Sequence, residues 1–525
     1  MDRRHFLGSL GAIATLPAGA LGRTPPTRAP IDPAERTIAE LAAAQAAGHG
    51  TAASIVAAYL QRIERLDRAG PALRAVLATN PHVLEDAHRL DAERRAGRVR
   101  GPLHGIPLLI KDNIATADPV PTTAGSLALA RSAHALDAPL VARLRAAGAL
   151  VLGKANLSEW ANYRSTHSLS GWSGVGGQTR NAYDRLRNPS GSSSGSAVGV
   201  AASLCAAAIG SETDGSILAP SALNGCVGLK PTAGLVSGTG VVPLSPRQDT
   251  AGPIGRTVAD VAALAAVIAE QPLGYGPQGA DLDAFRLAGV RLGWIAASPG
   301  SHPESAPVFA AAHGALAGDG AVLVELEAPK AFGEAGDAEV VAMQYEFHAA
   351  IDAYLGVLDP ALVSCRSLAD LVAFNRAHAT LEMPLFGQEI FEAALARGPL
   401  TEPAYLAARE KLDRCYDRDG LAALFTRDGV EVLAAPGNGP AELIDTVWGE
   451  RPGDGGWPAI ASAAAIAGYP SLTVPAGLVR GLPVGLVLVG RRGQDGLLLQ
   501  VANAFERATR ARRAPVFATS GCPVG

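Results

Sequence analysis

Between Asn188 and Pro253 small residues crowd together far beyond what a core helix or strand requires. Two clusters stand out there: Gly-Ser-Ser-Ser-Gly-Ser at Gly191 to Ser196, and Glu-Thr-Asp-Gly-Ser at Glu212 to Ser216. The run between them, Ala197 to Ile209, is Ala/Val-rich with only Ser203 polar, a composition and length that predict a buried helix joining two loops. Glycine next to serine opens backbone conformations closed to other residues and brings N–H groups close to a ligand. A hydroxyl beside exposed backbone donors is the equipment of acyl transfer. A flexible linker has a similar composition, but it has no need of the apolar runs that flank both clusters.

The rest of the chain can support a large core. It has 525 residues, 48% of them hydrophobic, and length alone would accommodate two or three domains, yet no composition break divides it. A net charge of −4 without a basic run points away from nucleic acid or an anionic membrane surface as a partner. Cys205, Cys226, Cys365, Cys415 and Cys522 are scattered, odd in number and without C-x-x-C spacing, so neither a zinc site nor a disulfide framework is indicated. No apolar run after the N-terminus reaches the ~18 residues of a membrane span.

Met1 to Ala20 combines paired Arg3-Arg4, Phe6-Leu7, a mildly apolar Gly/Ala-rich region and a small-residue cleavage site at Ala18-Gly19-Ala20. This resembles a twin-arginine export signal and predicts an exported, periplasmic protein whose mature chain begins near Leu21. A Pro-rich tether, residues 21–34, would follow. Two helical patterns then run from Glu35 to Leu66, the second opening at Thr51 as an N-cap. Ala75 to Thr79 reads as a strand, Val83 to Arg95 as a charged helix, and Gly105-Ile-Pro-Leu-Leu-Ile-Lys111-Asp-Asn113 as a strand running into a lysine. A helix from Pro139 to Ala147 precedes a strand at Ala149 to Leu152. Beyond the central stretch, a helix is expected over Thr257 to Glu270 and a strand over Val290 to Ile295. A mostly helical region follows over about 298–429, with Leu406 to Phe425 its longest piece. Short strands return at Val430 to Ala435, Ser471 to Val474 and Val484 to Val489, before a helix from Asp495 to Arg507. Alternating strands and helices predict an α/β fold whose sheet comes from both ends of the chain, with the middle laid over it.

Five lysines stand against forty arginines, which raises the question of what arginine could not do at those five places. Arginine does not lose its proton in a protein, whereas a buried lysine can, because desolvation disfavours the charged amine. A drop of ~3 units, about 4 kcal/mol, leaves it largely neutral at pH 7. Lys111 is best placed for this; Lys154 and Lys230 sit in comparable frames. Gly191 to Gly195 also fits G-x-S-x-G with Ser193 at an α/β-hydrolase elbow, but that arrangement needs a histidine late in the chain. The last of the eleven histidines is His378, and His302, His313, His348 and His378 all lie in helical or loop contexts.

Taken together these segments resemble the amidase signature family, whose members hydrolyse amides with a serine, serine, lysine triad. The lysine motif matches Gly105 to Asn113, the first serine loop Gly191 to Ser196 and the nucleophile loop Gly210 to Ser216. Gly-Leu-Lys-Pro-Thr at Gly228 to Thr232 and Gly-Tyr-Pro-Ser-Leu-Thr-Val-Pro-Ala-Gly at Gly468 to Gly477 match as well. The resemblance implies one large α/β domain, a mixed β-sheet sandwiched between helices, over residues 35–510, with a variable substrate-side region at about 298–429 and a tail at 511–525. It implies Ser216 as nucleophile, Ser192 as bridging serine and Lys111 as base, the two serines being twenty-four positions apart as in the family. It further implies a cis peptide between Gly191 and Ser192, and an oxyanion hole of the backbone N–H groups of Thr213, Asp214, Gly215 and Ser216. No metal or organic cofactor is implied.

Within the family, Gly-Gly-Gln-Thr-Arg-Asn at Gly176 to Asn181, Glu-Thr-Asp-Gly-Ser, and Gln-Asp-Thr-Ala-Gly-Pro at Gln248 to Pro253 resemble the wording of bacterial peptide amidases, which remove C-terminal amides and release ammonia. Many members have Thr-Gly-Gly where this chain has Thr213-Asp214-Gly215, and an arginine where Ile217-Leu218-Ala219 has none. That missing arginine disfavours substrates with a free carboxylate, such as glutamine, and with the export signal it argues against a tRNA amidotransferase subunit. The expected partner is a small amide or a peptide amide. An aliphatic or aryl amidase with the same triad is the alternative, and a non-catalytic binding homologue a remoter one. Tyr345, Phe347, Tyr354 and Phe374 are either cleft walls or core.

Overall fold

The computed structural model describes residues 31–276, 278–296, 302–450 and 457–517. The expected export signal, most of the expected tether, Cys522 and the end of the tail lie outside these residues. Eleven strands form one mixed sheet. From edge to edge they are Val76–Thr79, Leu150–Ala155, Pro107–Lys111, Ala207–Glu212, Thr250–Gly255, Val227–Lys230, Ser471–Val479, Leu482–Gly490, Val432–Pro436, Arg291–Ile295 and Val322–Leu326. The lysine strand Pro107–Lys111 runs parallel to both its neighbours, and three further strands near the far edge are parallel to one another.

Both faces of the sheet are covered, and one strand shows how. In Leu482–Gly490 successive side chains point to opposite faces. Val487 and Val489 enter one core with Leu109, Ile209 and Val198, while Val484, Leu486 and Leu488 enter the other with Val261, Leu498 and Phe505. A third apolar cluster joins Phe347, Ile351, Leu368 and Phe391 of the helical middle to Trp160 and Leu244, so that region is fastened to the loops over the sheet.

Most expected elements form. Helices at Ile38–Ala46 and Ala52–Arg62 appear, and Thr51 caps the second by accepting from Ser54 N–H. The helix Val83–Arg95, the helix Pro139–Ala146 and the strand Leu150–Ala155 are present. So are Val258–Ile268 with its Thr257 cap, and Asp495–Thr509. Three expectations are corrected, and a central strand appears where none was expected. The single helix over Ala197 to Ile209 is instead a helix Ser194–Ala201, a turn with Ser203 at φ 52°, and the strand Ala207–Glu212. An unbroken apolar run carries no period that separates helix from strand, and here the turn divides it. Leu406 to Phe425 is broken into Pro403–Leu412, a wide i→i+5 segment Asp413–Leu421, and Ala422–Arg427, leaving Ala338–Gly356 the longest helix of the region. The mostly helical region also supplies an edge strand, Val322–Leu326, which pairs in parallel with the expected strand Arg291–Ile295. Finally, Thr250–Gly255 is a central strand despite its two glycines and proline. A Cβ on Gly252 would stand 2.1 Å from Leu229 O, so backbone contact rather than strand propensity decides it.

Candidate active site

Parallel strands leave their carboxyl ends at one edge, where a crevice can form. Lys111 ends its strand there. Its neighbour, in register from Leu108 opposite Ala207, runs on past it to Ser211 and Glu212. The helix Ser194–Ala201 lies buried along its whole length, and the loop before it carries Ser192 to the same edge. This close approach requires glycine: a Cβ on Gly195 would meet Ala75 O at 2.2 Å and Asn156 N and O at 2.6 Å. The Gly191–Ser192 peptide is cis, and the Ser192 carbonyl accepts from Ser158 N–H at 3.1 Å.

The structure brings Lys111 and Ser192 together. Lys111 is wholly buried, and its Nζ donates to Ser192 Oγ (2.7 Å), Ser211 Oγ (2.9 Å) and Ser211 O (3.0 Å). Burial lowers its pKa to about 7, against the charges of Glu212 and Asp249. Asn113 Nδ2 donates to Ser211 Oγ at 2.9 Å, so Ser211 is oriented from two sides.

Ser216 follows four residues after Glu212 and is 8% exposed. Its carbonyl accepts from Ser193 N–H at 3.1 Å, which ties the two serine loops together. Among the described residues no hydrogen bond joins the Ser192 and Ser216 hydroxyls. Ser193 points elsewhere: its hydroxyl donates to Ser211 O (3.0 Å) and accepts from Ser211 N–H (3.2 Å). The elbow serine of the G-x-S-x-G reading is thus committed to backbone.

The loop Glu212 to Ser216 is held by carboxylates. Glu212 Oε2 accepts from Ile217 N–H (2.7 Å) and Leu218 N–H (3.0 Å), and the Gly215 amide also faces this carboxyl. Burial raises the Glu212 pKa, and buried Lys230 opposes that rise. Thr213 Oγ1 donates to Asp249 Oδ1 at 2.6 Å, and Asp249 Oδ2 accepts from the amides of Leu244 (2.8 Å) and Ser245 (3.0 Å). Burial pushes Asp249 up to about 6. Gly215 turns the loop at φ 76°.

Lys154 and Lys230 are buried as well, but in other settings. Lys154 Nζ donates to Ile114 O (2.6 Å) and Thr122 Oγ1 (2.8 Å) and stands 3.7 Å from Asp112 Oδ1. Lys230 Nζ donates to Pro231 O at 3.0 Å, with burial lowering its pKa to about 8. Of the aromatic candidates, Tyr345 and Phe347 are core: Phe347 stacks on Phe391 at 5.1 Å, and Tyr345 OH donates to Glu402 Oε2 at 2.6 Å. Tyr354 and Phe374 lie partly buried beside the same cluster as Phe347.

Sequence reasoning overlooked Ser211, Asn113, Glu212 and Asp249 as site residues. All four stand inside the quoted motifs, Asn113 in Gly105 to Asn113, Ser211 and Glu212 in Gly210 to Ser216, and Asp249 in Gln248 to Pro253, and polar residues at the ends of apolar runs were the available signal.

The amidase family model matches residues 54–499. The native peptide amidase of Stenotrophomonas maltophilia is 46% identical, with a TM-score of 0.85, the match covering 93% of this chain and 99% of that one. A peptide amidase structure in complex with the competitive inhibitor chymostatin gives the same identity and TM-score over 92% and 99% of the two chains. A probable amidase of Arabidopsis thaliana is 38% identical over 499 residues, 92% of each chain.

Proposed function

Since the chain belongs to the amidase signature family and is a hydrolase of amide C–N bonds, we propose that it removes the terminal amide from C-terminally amidated peptides and releases ammonia, with Lys111, Ser192 and Ser216 as its triad. The observation that carries this reading is the setting of Lys111 Nζ. Once neutral, the amine has two N–H groups for the Ser211 carbonyl and hydroxyl oxygens and one lone pair for Ser192 Oγ. An arginine could not offer that lone pair.

In the reaction Lys111 takes the Ser192 proton, Ser192 takes that of Ser216, and Ser216 Oγ bonds to the amide carbon. The oxyanion is held by the backbone N–H groups of Thr213, Asp214 and Ser216, the Gly215 amide facing the Glu212 carboxyl instead, and each such donor is worth ~3 kcal/mol to a transition state. The relay returns a proton to nitrogen as the C–N bond breaks and ammonia leaves. Water then adds to the acyl carbon, giving its proton to the relay, and the ester to Ser216 breaks to yield the carboxylate. The likeness to peptide amidase supports the peptide-amide substrate, and the Arg3-Arg4 segment supports export to the periplasm.

The test is ammonia release from amidated dipeptides, aliphatic and aryl amides and glutamine, using wild type and Ser216→Ala. Release from dipeptide amides that vanishes in the variant is the expected result. Release from simple amides alone would overturn the substrate, and a fully active variant would overturn the nucleophile.

A further inference from the structure

Ser192 and Ser211 each carry one hydroxyl hydrogen, and one nitrogen lies within reach of both. Among the described residues Ser192 Oγ has a single hydrogen-bond partner, Lys111 Nζ at 2.7 Å. Ser211 Oγ has two, Lys111 Nζ and Asn113 Nδ2, both at 2.9 Å. An amide nitrogen only donates, so Asn113 Nδ2 does not take the Ser211 hydrogen, and a neutral lysine offers one lone pair. Two hydroxyl hydrogens therefore contend for one acceptor, where Lys111 and Ser192 are wholly buried and Ser211 is 6% exposed.

The contest decides whether the relay can start. If Ser211 holds the lone pair, the two N–H groups of the amine go to Ser192 Oγ and Ser211 O, and Lys111 donates to the hydroxyl it has to deprotonate. If Ser192 holds it, the N–H groups go to the two Ser211 oxygens and the base faces the right way. In that second state Ser211 Oγ accepts from Lys111, so its own hydrogen needs another acceptor. One stands on the neighbouring amide: Asn113 Oδ1 is buried without a partner among the described residues, on a side chain 3% exposed. A half-turn of the amide exchanges Nδ2 and Oδ1 at nearly the same places. It gives up the one bond that Nδ2 makes and replaces it by Ser211 O–H donating to Oδ1. The backbone need not follow, since Asn113 O is held by Val242 N–H at 2.8 Å.

We infer that Asn113 is a positioning residue of the relay: with Oδ1 turned to Ser211 it holds the Ser211 hydrogen and leaves the Lys111 lone pair to Ser192. The inference rests on the Lys111, Ser192 and Ser216 reading above and adds a gate to it. With Nδ2 facing Ser211 the lone pair is taken and the site is at rest; with Oδ1 facing it the base is free. The charged amine fits the second orientation as well. Its three N–H groups then occupy Ser192 Oγ, Ser211 O and Ser211 Oγ, and the Ser211 hydrogen again goes to Oδ1. The proton taken from Ser192 is thus accommodated without a further turn.

The test follows inactivation by an excess of an alkyl fluorophosphonate. The bond from Ser216 Oγ to phosphorus forms, the P–F bond breaks, fluoride leaves, and the Ser216 proton passes through Ser192 to Lys111. The pseudo-first-order rate constant reads the activation of Ser216 and depends neither on the fraction of each variant that folds nor on which amide is the substrate. Wild type, Asn113→Leu and the double variant Asn113→Leu with Ser211→Ala are compared, and the adduct is located by mass spectrometry. Leucine has nearly the shape of asparagine and neither amide end. Asn113→Leu should react at least about fivefold more slowly than wild type, because its Ser211 hydrogen is left to the lone pair. Removing that hydrogen should make the double variant at least about threefold faster than Asn113→Leu. A merely structural asparagine predicts the reverse, since a second substitution in the same network then adds damage. Asn113→Leu reacting at the wild-type rate, or a double variant no faster than Asn113→Leu, would overturn the inference. Ser211→Gly, which lacks the same hydroxyl, takes the place of alanine if that double variant does not fold. Lys111→Met reacting at the wild-type rate, or an adduct on a serine other than Ser216, would instead overturn the relay on which the inference rests.

Discussion

Lys111 Nζ stands 2.7 Å from Ser192 Oγ across 81 positions of sequence, in a setting where the amine is wholly buried. The carboxylates whose charges act on it, Glu212 and Asp249, are engaged by the loop Glu212 to Leu218 and oppose the desolvation only in part. The result is an amine that loses its proton near neutral pH.

Replacing Lys111 by Met should lower kcat by at least about 100-fold, the usual contribution of a positioned base. In wild type, kcat/KM should rise with pH through about 7 and level off above it, as the amine loses its proton. The variant should lack that limb. Stability moves in the same direction: the folded pKa lies below the ordinary 10.5, so between about 7 and 10.5 the unfolded chain binds the extra proton and the native state gains with pH. Urea unfolding at pH 6.5 and 9.5 should show wild type gaining relative to the variant, by at most about 4 kcal/mol.

The serines should separate by mechanism. Ser216→Ala should abolish turnover and any acyl-enzyme detectable by mass spectrometry. Ser193→Ala removes a hydroxyl that both donates to and accepts from the Ser211 backbone. It should cost about 1–3 kcal/mol of stability while retaining the acyl-enzyme. An acyl-enzyme lost in Ser193→Ala and kept in Ser216→Ala would reverse the assignment.

Glu212 positions the loop without touching the reacting atoms. Glu212→Gln keeps a carbonyl oxygen for the Ile217 and Leu218 amides, whereas Glu212→Ala leaves both amides and Lys230 without it. The alanine variant should lose roughly 10- to 100-fold in kcat with little change in KM, and glutamine should restore most of that loss. Equal damage from both would point to charge rather than to the amide contacts.

Gly195→Ala places a methyl group 2.2 Å from Ala75 O and 2.6 Å from Asn156 backbone atoms. Ala75 and Asn156 flank two strands and are joined to each other by Asn156 N–H to Ala75 O at 2.8 Å, so neither can yield without losing that bond and the variant should be destabilised by about 3 kcal/mol or more. A thermal melt within a degree or two of wild type would contradict this packing.

How far the sequence was legible depended on the kind of signal. Thr51 announced its helix because a cap is a local device, set by a side chain and an amide three residues on. Ala197 to Ile209 misled because an all-apolar run has no period, and Thr250–Gly255 escaped notice because its strand conformation comes from Leu229 lying against Gly252. Lys111 could be chosen over Lys154 and Lys230 by its motif, yet all three prove buried; what differs is their partners, the Ser192 and Ser211 hydroxyls for Lys111, Thr122 and the Asp112 carboxylate for Lys154, and the Pro231 carbonyl for Lys230.

The sequence by itself determined the family, the α/β class and the serine and lysine motifs, since these rest on residue identity and short spacing. Only the tertiary structure decided what those residues meet. Lys111 with Ser211, Glu212 with the amides after Ser216, and Asp214 with Glu339 are separated by up to 125 positions or lie on turns whose direction no local pattern encodes. The physical reason is that burial and charge act through space. A lysine is a base, and a carboxyl a ligand for N–H groups, only once the folded chain has removed water and chosen the neighbours.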